Sequence, residues 1–308
     1  MLKDCFTLRI TRDLSPNNLE LIIAVIILLI LAALLFVIYR SNNRLDITKY
    51  AVADKNIPKP FDGFLIVQLS DFHNTRSKAV REQILSALLE SEPDIIVITG
   101  DFIDYYRTDT DISLEFLRRL ISVAPVYYIP GNHEARIDEY PQFCASAERL
   151  GARVLDDCLV SVVRGDSKID IVGVKDPYFY KEYEPVPERR IDILSEKLKS
   201  LLQAGESYTV LLSHRPELAE LYADSGVDLA LCGHAHGGQF RLPFVGGVFS
   251  PSQGLLPKYT CGLYETKGKR MIVSRGIGNS SFPFRINNNP ELVLIRLENI
   301  ENADSPEH

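Results

Sequence analysis

The sequence predicts an α/β fold preceded by one transmembrane helix, and three features of the chain lead to this prediction. Residues 21–39 form an uncharged apolar stretch of the length that spans a bilayer. Between residues 64 and 129, short apolar runs alternate with amphipathic helical segments, as in stacked strand–helix–strand units. Beyond Gly238 the chain becomes rich in glycine, proline and aromatic residues, which indicates hairpins.

The composition is that of a globular protein and excludes several classes. The 308 residues carry a net charge of −7 and no long basic run, so we expect no nucleic-acid partner. The five cysteines are odd in number and lack CxxC spacing. This pattern indicates reduced thiols and argues against a disulfide framework or a cysteine zinc site.

The first predicted element is the apolar stretch from Leu21 to Tyr39, which Glu20 and Arg40 bound. As a helix it would be about 28 Å long, close to a hydrocarbon core of about 30 Å. A buried core helix would be amphipathic, and a cleaved signal peptide would have a shorter apolar region of about 7–15 residues. We therefore predict a polar leader at 1–20 and a retained single-pass helix at 21–39 that contacts the lipid bilayer.

Residues 40–62 are polar, contain two prolines near their end and are predicted to be a tether. Arg40 and Arg44 lie close to the end of the apolar stretch, whereas the basic residues before it are farther away. The positive-inside rule therefore favours a cytoplasmic position for the domain that follows. That domain is predicted to occupy residues 63–297, with a polar tail at 298–308.

The elements of the domain follow from its hydropathy pattern. Strands are predicted at residues 64–69, 94–99, 126–129, 154–163, 168–174, 208–213 and 229–232. Helices are predicted at residues 78–89, 112–121 and 187–202. The strands end in polar and often ionisable residues, and in α/β folds ligands bind at that edge of the sheet.

Histidines and aspartates concentrate at these strand ends. Five of the six histidines lie there, at positions 73, 133, 214, 234 and 236, and Asp71 and Asp101 occupy equivalent positions. A single histidine is more often a packed core residue than a ligand, but so many converging groups would be costly without a cation. Oxygen and imidazole ligands favour Mn²⁺, Fe or Zn²⁺. Their number suits two divalent ions that share one carboxylate.

Five sequence blocks extend this argument: Asp71-x-His73, Gly100-Asp101, Gly131-Asn132-His133-Glu134, His214 and Gly233-His234-x-His236. In this order they resemble the signature of the calcineurin-like metallophosphoesterase superfamily, over about residues 64–296. Gly276-Ile277-Gly278-Asn279 is similar to a bacterial, membrane-anchored, phosphodiesterase-like branch. The resemblance implies an α/β sandwich of two mixed β-sheets flanked by helices.

The resemblance also implies roles for single residues. One ion would be held by Asp71, His73 and His236, the other by Asn132, His214 and His234, with Asp101 as the bridge. His133 would join Asp101 as a catalytic residue and face the leaving-group oxygen, while a hydroxide shared by the ions attacks phosphorus. Glu134 would pack against its neighbours or orient them. Arg285 is the candidate for substrate binding and Arg136 a second one, with a solvated surface role as the alternative for each.

The function implied is that of a metal-dependent phosphoester hydrolase, acting as a phosphodiesterase or pyrophosphohydrolase. A membrane-bound phosphomonoesterase or protein phosphatase and a non-catalytic metal-binding scaffold are the alternatives. An apolar segment that includes Phe244 and Phe249 follows the metal histidines. It either packs the second sheet or stays exposed and meets acyl chains or the membrane, in which case the phosphoester substrate is amphiphilic.

Overall fold

The computed structural model describes residues 16–180, 187–202, 207–279 and 281–300. The predictions for most of the leader and most of the tail lie outside the described residues. Within them the helices are α1 (Pro16–Asn43), α2 (Lys78–Ser91), α3 (Thr110–Ile121), α4 (Tyr140–Leu150), α5 (Pro187–Leu202) and α6 (Ala219–Ser225).

Most strands belong to two six-stranded sheets. The first contains, in spatial order, β1 (Asp46–Asp54), β16 (Glu291–Asn299), β2 (Leu65–Leu69), β3 (Ile95–Thr99), β4 (Val126–Ile129) and β5 (Arg153–Val154). The second contains β14 (Gly262–Thr266), β15 (Lys269–Val273), β9 (Leu229–Cys232), β8 (Thr209–Leu212), β7 (Ser167–Gly173) and β6 (Cys158–Arg164). Two small hairpins pair β10 (Arg241–Leu242) with β11 (Gly246–Gly247) and β12 (Phe249–Ser250) with β13 (Gly254–Leu255).

The two sheets are mixed and stack into a sandwich covered by helices. Side chains alternate along β3: Ile95 and Val97 enter the core between the sheets, while Ile96 and Ile98 pack under α2, α3 and α4. A third cluster joins α5 and α6 to the outer face of the second sheet. Each fully buried aliphatic side chain contributes about 1.5–3 kcal/mol to stability. The predicted fold class, an α/β sandwich with helices on both outer faces, is confirmed.

Helix α1 is the described helix that is long and apolar enough to cross a membrane. Its 28 residues give a length of about 42 Å, and its apolar window, with mean hydropathy 3.7, has no side chain buried against the rest of the chain. The helix extends beyond the predicted span and ends only at Asn43. Two residues, Arg44 and Leu45, then separate it from β1.

The prediction of a tether at residues 40–62 is wrong. Asp46–Asp54 form β1, which pairs in parallel register with β16 over nine residues. The sequence pattern hid this strand because β1 lies at the sheet edge, where exposed and half-buried residues alternate and few apolar side chains are needed. The domain therefore begins at Asp46 rather than at residue 63, and it extends to Asn299.

The predicted strand 154–163 is also divided. Its start belongs to β5 in the first sheet, and Cys158 begins β6 in the second sheet. The chain changes sheets at Asp156-Asp157, where Asp157 has a positive φ of 53°. Periodicity alone does not reveal such a crossing, because both halves are apolar enough to be strands.

The topology brings five strand ends to one edge of the sandwich. Strands β2, β3 and β4 run parallel in the first sheet, and β8 and β9 run parallel in the second. Two contacts join the sheets there: Gln68 Nε2 donates to Cys232 O at 2.8 Å, and His214 Nδ1 lies 2.8 Å from Thr99 O. The residues that follow these five strands therefore surround one space.

Candidate metal centre

All seven predicted metal ligands lie at this edge and are buried. Their side chains come from the ends of β2, β3, β4, β8 and β9, and none is more than 6% exposed: Asp71, His73, Asp101, Asn132, His214, His234 and His236. Buried carboxylates and imidazoles need partners, because an unpaired charge in the interior is costly. Here the partners available are mainly the other side chains of the same set.

Among the described residues, three overlapping groups of carboxylate and histidine side chains could hold a metal ion. Two of them share Asp101, and the third joins His73 to Asp104 and His133. Asp71, His73, Asp101 and His236 place ligand atoms within 4.8 Å of one another, and Asp101, His214 and His234 do the same. The division between the two groups that share Asp101 matches the two ligand sets expected from the sequence. Asn132 supplies an amide oxygen rather than a carboxylate, and it lines the cleft beside Asp101.

Asp101 is held in the shared position by its two oxygens. Oδ1 accepts a hydrogen bond from the His133 backbone N–H at 2.8 Å. Oδ2 lies 3.2 Å from His214 Nε2 and 3.8 Å from His73 Nε2, so it faces both groups. This is the arrangement that a bridging carboxylate requires.

Backbone strain concentrates in the same loops. Five of the ligands have positive φ: Asp71 (52°), His73 (47°), Asp101 (51°), His234 (66°) and His236 (47°). Non-glycine residues adopt this conformation at a cost, and such outliers cluster at functional sites. The neighbouring glycine, Gly100, has φ +92°, and a Cβ there would come 2.5 Å from His214 Nδ1. The loops are therefore shaped around the ligand side chains.

The donor set fits divalent cations. The Asn132 Oδ1 atom is buried and accepts no hydrogen bond from any described residue, so it is free to bind an ion. Burial lowers the pKa of His73 well below its usual value and that of His236 to about 4, so both rings are neutral and keep a lone pair for a metal.

The family assignment follows from comparison with known proteins. Residues 64–238 match the model of the calcineurin-like phosphoesterases, which covers more than half of the chain. The chain belongs to the calcineurin-like phosphoesterase family. It is therefore a metal-dependent phosphoester hydrolase.

Three relatives of this phosphoesterase illustrate the match. It is 31% identical to the uncharacterized metallophosphoesterase YkuE of Bacillus subtilis, over 84% of this chain and 88% of that protein. It is 26% identical to the phosphodiesterase YaeI of Escherichia coli, over 76% and 82% of the two chains. A transmembrane protein with metallophosphoesterase domain from Danio rerio is 26% identical, over 79% of this chain and 55% of that protein.

In the phosphoesterase, a cleft opens over the edge of the sandwich that carries the candidate metal ligands. Its lining includes His133, Arg136, Tyr178, Arg215, Phe249 and Phe282. His133 lies with its Nε2 atom 3.9 Å from Asp101 Oδ2, and its Nδ1 accepts a hydrogen bond from the Tyr105 backbone N–H at 2.9 Å. The ring is therefore oriented by the chain beside the candidate ligands.

The prediction that Arg285 binds substrate is wrong. Its side chain is fully buried, and every guanidinium nitrogen meets a protein atom. Nε donates to Asn279 Oδ1, Nη1 to Arg275 O and Nη2 to Gly278 O, and Nη2 also lies 3.2 Å from His236 Nδ1. Arg285 thus holds the loop around His236. The sequence could not show this because the burial depends on contacts with Arg275, Gly278 and Asn279 in the folded chain.

Two arginines instead line the cleft. The Arg136 guanidinium lies over the Tyr178 ring at 4.6 Å and has no ion-pair partner among the described residues. Arg215, which sequence reasoning missed, pairs with Asp176 through two nitrogens and contacts His234 Nε2 at 3.0 Å. The only sequence signal for Arg215 was its position directly after His214. Arg136 is therefore the arginine left available for an anion.

Glu134 holds the ligand loops together. One of its carboxylate oxygens accepts hydrogen bonds from the backbone N–H groups of Asp101 (3.0 Å) and Gly131 (2.8 Å). The other accepts from the N–H of Ile103 at 2.8 Å. Burial, followed by the charge of Asp101, raises the pKa of Glu134 to about 7. Of the two roles considered for Glu134, orientation of its neighbours is the one that these contacts support.

A proton competes with a metal ion at His214. Burial, the largest single effect, opposes the charged ring, but the charge and hydrogen bond of Asp101, with the charges of Asp71 and Asp176, together raise the pKa of His214 to about 10. In turn, burial would raise the pKa of Asp101, but the facing His214 and His133 hold it well below its usual value. The site therefore favours a cation next to Asp101, whether a proton or a metal ion.

Proposed function

We propose that this phosphoesterase hydrolyses phosphodiesters, or pyrophosphates by the same chemistry, with two divalent ions in the metal centre. The observation that carries this proposal is the position of Asp101, whose Oδ2 faces the ligand groups on both sides. Mn²⁺, Fe and Zn²⁺ suit the oxygen and imidazole ligands. Asp71, His73 and His236 would hold one ion, Asn132, His214 and His234 the other, and Asp101 both.

When bound, such ions activate water near neutral pH and polarise phosphoryl oxygens. The side chains contribute orientation and charge. Asp101 and Asp71 would supply the negative charge that holds the two ions, and Asn132 would add a neutral ligand that limits the total negative charge. Glu134 keeps the Asp101 and Gly131 backbones in position, so the centre is fixed before a substrate enters.

His133 would donate a hydrogen bond to the substrate. Because its Nδ1 accepts the Tyr105 N–H, the proton of the neutral ring is on Nε2. Nε2 faces the cleft beside Asp101, where a phosphoryl or leaving-group oxygen would lie. This hydrogen bond matters most when the leaving oxygen carries strong negative charge in the transition state.

The preference for diesters rests on the charges in the cleft. Arg136 is held between aromatic rings, over Tyr178 at 4.6 Å and Tyr105 at 5.7 Å, and is available for a phosphate oxygen. The guanidinium of Arg215 is already neutralised by Asp176. Besides the two proposed metal ions, Arg136 is thus the unpaired cation among the described residues of the cleft lining, and one added positive charge suits the single charge of a phosphodiester.

We further propose that α1 spans the membrane once, with the catalytic domain in the cytoplasm and an amphiphilic or membrane-associated substrate. The exposed apolar surface of α1 supports the span. The basic residues Arg40 and Arg44, which follow its apolar stretch, support the cytoplasmic orientation of the domain. Phe249 and Phe282 give the cleft an apolar wall that suits an acyl chain. A green fluorescent protein fused after residue 308 should fluoresce in the expressing cell, and a β-lactamase fused there should not confer ampicillin resistance.

The test of the reaction uses the full chain in detergent, reconstituted with Mn²⁺, Fe²⁺ or Zn²⁺. We expect kcat/KM for bis(4-nitrophenyl) phosphate to exceed that for 4-nitrophenyl phosphate. Arg136→Met should lower kcat/KM for bis(4-nitrophenyl) phosphate about tenfold or more, because a charge-assisted contact with the substrate is lost. Arg149→Met, on the exposed face of α4, is the control and should change nothing. A preference for the monoester would favour a phosphomonoesterase, and no turnover with any metal would favour a binding scaffold.

A further inference from the structure

The two small hairpins carry apolar side chains that the fold does not use. We call these five side chains the hairpin surface: Leu242, Phe244, Val245, Leu255 and Leu256. They are 52%, 109%, 55%, 77% and 67% exposed, respectively. Soluble surfaces seldom expose so many large apolar groups within fifteen residues, and such groups usually meet a partner.

The backbone makes this exposure more unusual. Phe244 and Leu256 have positive φ angles of 67° and 52°, in turn positions that favour glycine or asparagine. A bulky residue there is strained, and its side chain gains no burial inside the chain to offset the strain. The surface therefore needs an explanation outside the fold of the single chain.

The hairpin surface is connected to the end of α1 through a short series of contacts. The Arg241 N–H, at the base of the first hairpin, donates to Ile286 O at 3.1 Å, and Asn287 Nδ2 donates to Arg241 O at 3.3 Å. The Asn287 N–H in turn donates to Ser41 Oγ at 2.9 Å. Only the 286–287 segment thus separates the hairpin from the last turn of the helix.

The same segment also lies against α1 itself. Asn287 and Asn289 share a groove with Phe36, Val37 and Arg40 of α1. Phe36 and Val37 belong to the apolar stretch, so this groove lies where α1 leaves the hydrocarbon. The tip at Phe244 is three residues from Arg241, a reach of about 10 Å in extended chain. That reach is enough to enter the interfacial layer.

We propose that the hairpin surface inserts into the same leaflet from which α1 emerges. This inference rests on the proposed membrane anchoring of α1. The second hairpin also supplies Phe249, Pro251 and Ser252 to the cleft, and Phe282 lies across from them against Phe240 at 5.4 Å. One wall of the cleft is therefore continuous with the lipid-contacting surface. An amphiphilic phosphodiester can reach the metal centre from the leaflet with its acyl chains still in lipid.

The absence of tryptophan from all 308 residues permits a direct test. Single tryptophans are placed in the full chain, reconstituted in vesicles of phosphatidylcholine and phosphatidylglycerol. Phe244→Trp probes the hairpin surface, Ile30→Trp probes α1, and Val163→Trp, 69% exposed on β6, is the matched control. Emission is recorded with ordinary lipids and with lipids brominated along the acyl chain. Turnover of bis(4-nitrophenyl) phosphate in each variant confirms that it folds.

We expect brominated lipids to quench Phe244→Trp and Ile30→Trp about twofold or more, and to leave Val163→Trp unchanged. Quenching of Ile30→Trp without quenching of Phe244→Trp would overturn the hairpin insertion alone. If neither is quenched, the proposed anchoring is wrong as well. A blue shift of Phe244→Trp that depends on protein concentration, without quenching, would assign the surface to a second copy of the chain. Val245→Trp replaces Phe244→Trp if the latter does not turn over substrate, and the same outcomes apply.

Discussion

At the residue scale, His133 lies beside the seven predicted ligands and has a different proposed role, that of a hydrogen-bond donor to the substrate. Its Nδ1 is occupied by the Tyr105 N–H, and its Nε2 faces the cleft. We expect His133→Gln to retain both ions and to slow poor leaving groups by about 10²–10⁴, but good leaving groups much less. The measurement is kcat for a series of aryl phosphodiesters with leaving groups of rising pKa. Equal slowing across the series, or loss of metal, would contradict this role.

The carboxylate of Glu134 accepts three hydrogen bonds from backbone N–H groups of the ligand loops. In Glu134→Gln the amide nitrogen must face a backbone N–H, so at least one of the three hydrogen bonds is lost. We expect the free energy of unfolding to fall by about 1–3 kcal/mol, as for a buried donor left unsatisfied. Urea unfolding of the detergent-solubilised chain measures this change. Glu139→Gln, exposed at the start of α4, is the matched control and should unfold like the wild-type chain.

The sequence could predict that the candidate ligands meet because each lies two to four residues past a strand end, as Asp71 does after β2 and His234 after β9. Because these strands run parallel within each sheet, the residues that follow them come together at the same edge. Arg285 and Arg215 are the residues whose positions the sequence did not predict. Both are basic residues near the motifs, and whether a basic side chain reaches the cleft or is buried under a loop depends on packing between segments that are far apart in sequence.

At the element scale, the last turn of α1 is hydrogen-bonded to the catalytic domain. Asn42 Oδ1 accepts hydrogen bonds from the Arg285 N–H (3.1 Å) and from Asn279 Nδ2 (2.9 Å), and Asn42 Nδ2 donates to Arg285 O at 3.1 Å. The same loop holds His236 through Arg285. The helix therefore fixes one wall of the metal centre.

We expect Asn42→Ala to weaken binding of Mn²⁺ about threefold to tenfold, because the loop behind His236 loses its support. Titration of the apo chain, with hydrogen exchange of the 276–289 segment as a second measurement, tests this. Asn43→Ala is the control, since the Asn43 side chain donates only to Tyr39 O in its own helix. Equal metal affinity in the two variants would show that the contact does not reach the centre.

The tether was predicted wrongly for a related reason. Strands β1 and β16 lie at the two ends of the domain sequence, and no local sequence pattern predicts that they pair. By contrast, inner strands such as β3 are buried on both faces, so their continuous apolar runs were recognisable.

At the scale of the whole molecule, the metal centre is assembled from both sheets. We expect the full chain to hold about two divalent ions after reconstitution, because Asp101 faces both ligand groups. The Asp101→Asn variant should hold fewer divalent ions, and its kcat should fall at least about a hundredfold. The reason is that a neutral amide offsets the positive charge of two cations poorly. Elemental analysis together with turnover measures both. One ion in the wild-type chain, or Asp101→Asn turnover within about twofold of wild type, would contradict the bridge.

The place of β16 between β1 and β2 has a consequence for how the protein is made. More than 200 residues separate the end of β1 from the start of β16. At 5–20 residues per second, β1 therefore waits roughly 12–47 s before its partner strand has been synthesised. During that time β1, next to the bilayer, and β2 both expose open edges, which can pair with each other or with a neighbouring nascent chain. Chains that stop before Glu291 keep those edges permanently, which makes them targets for the proteases that remove unfinished proteins.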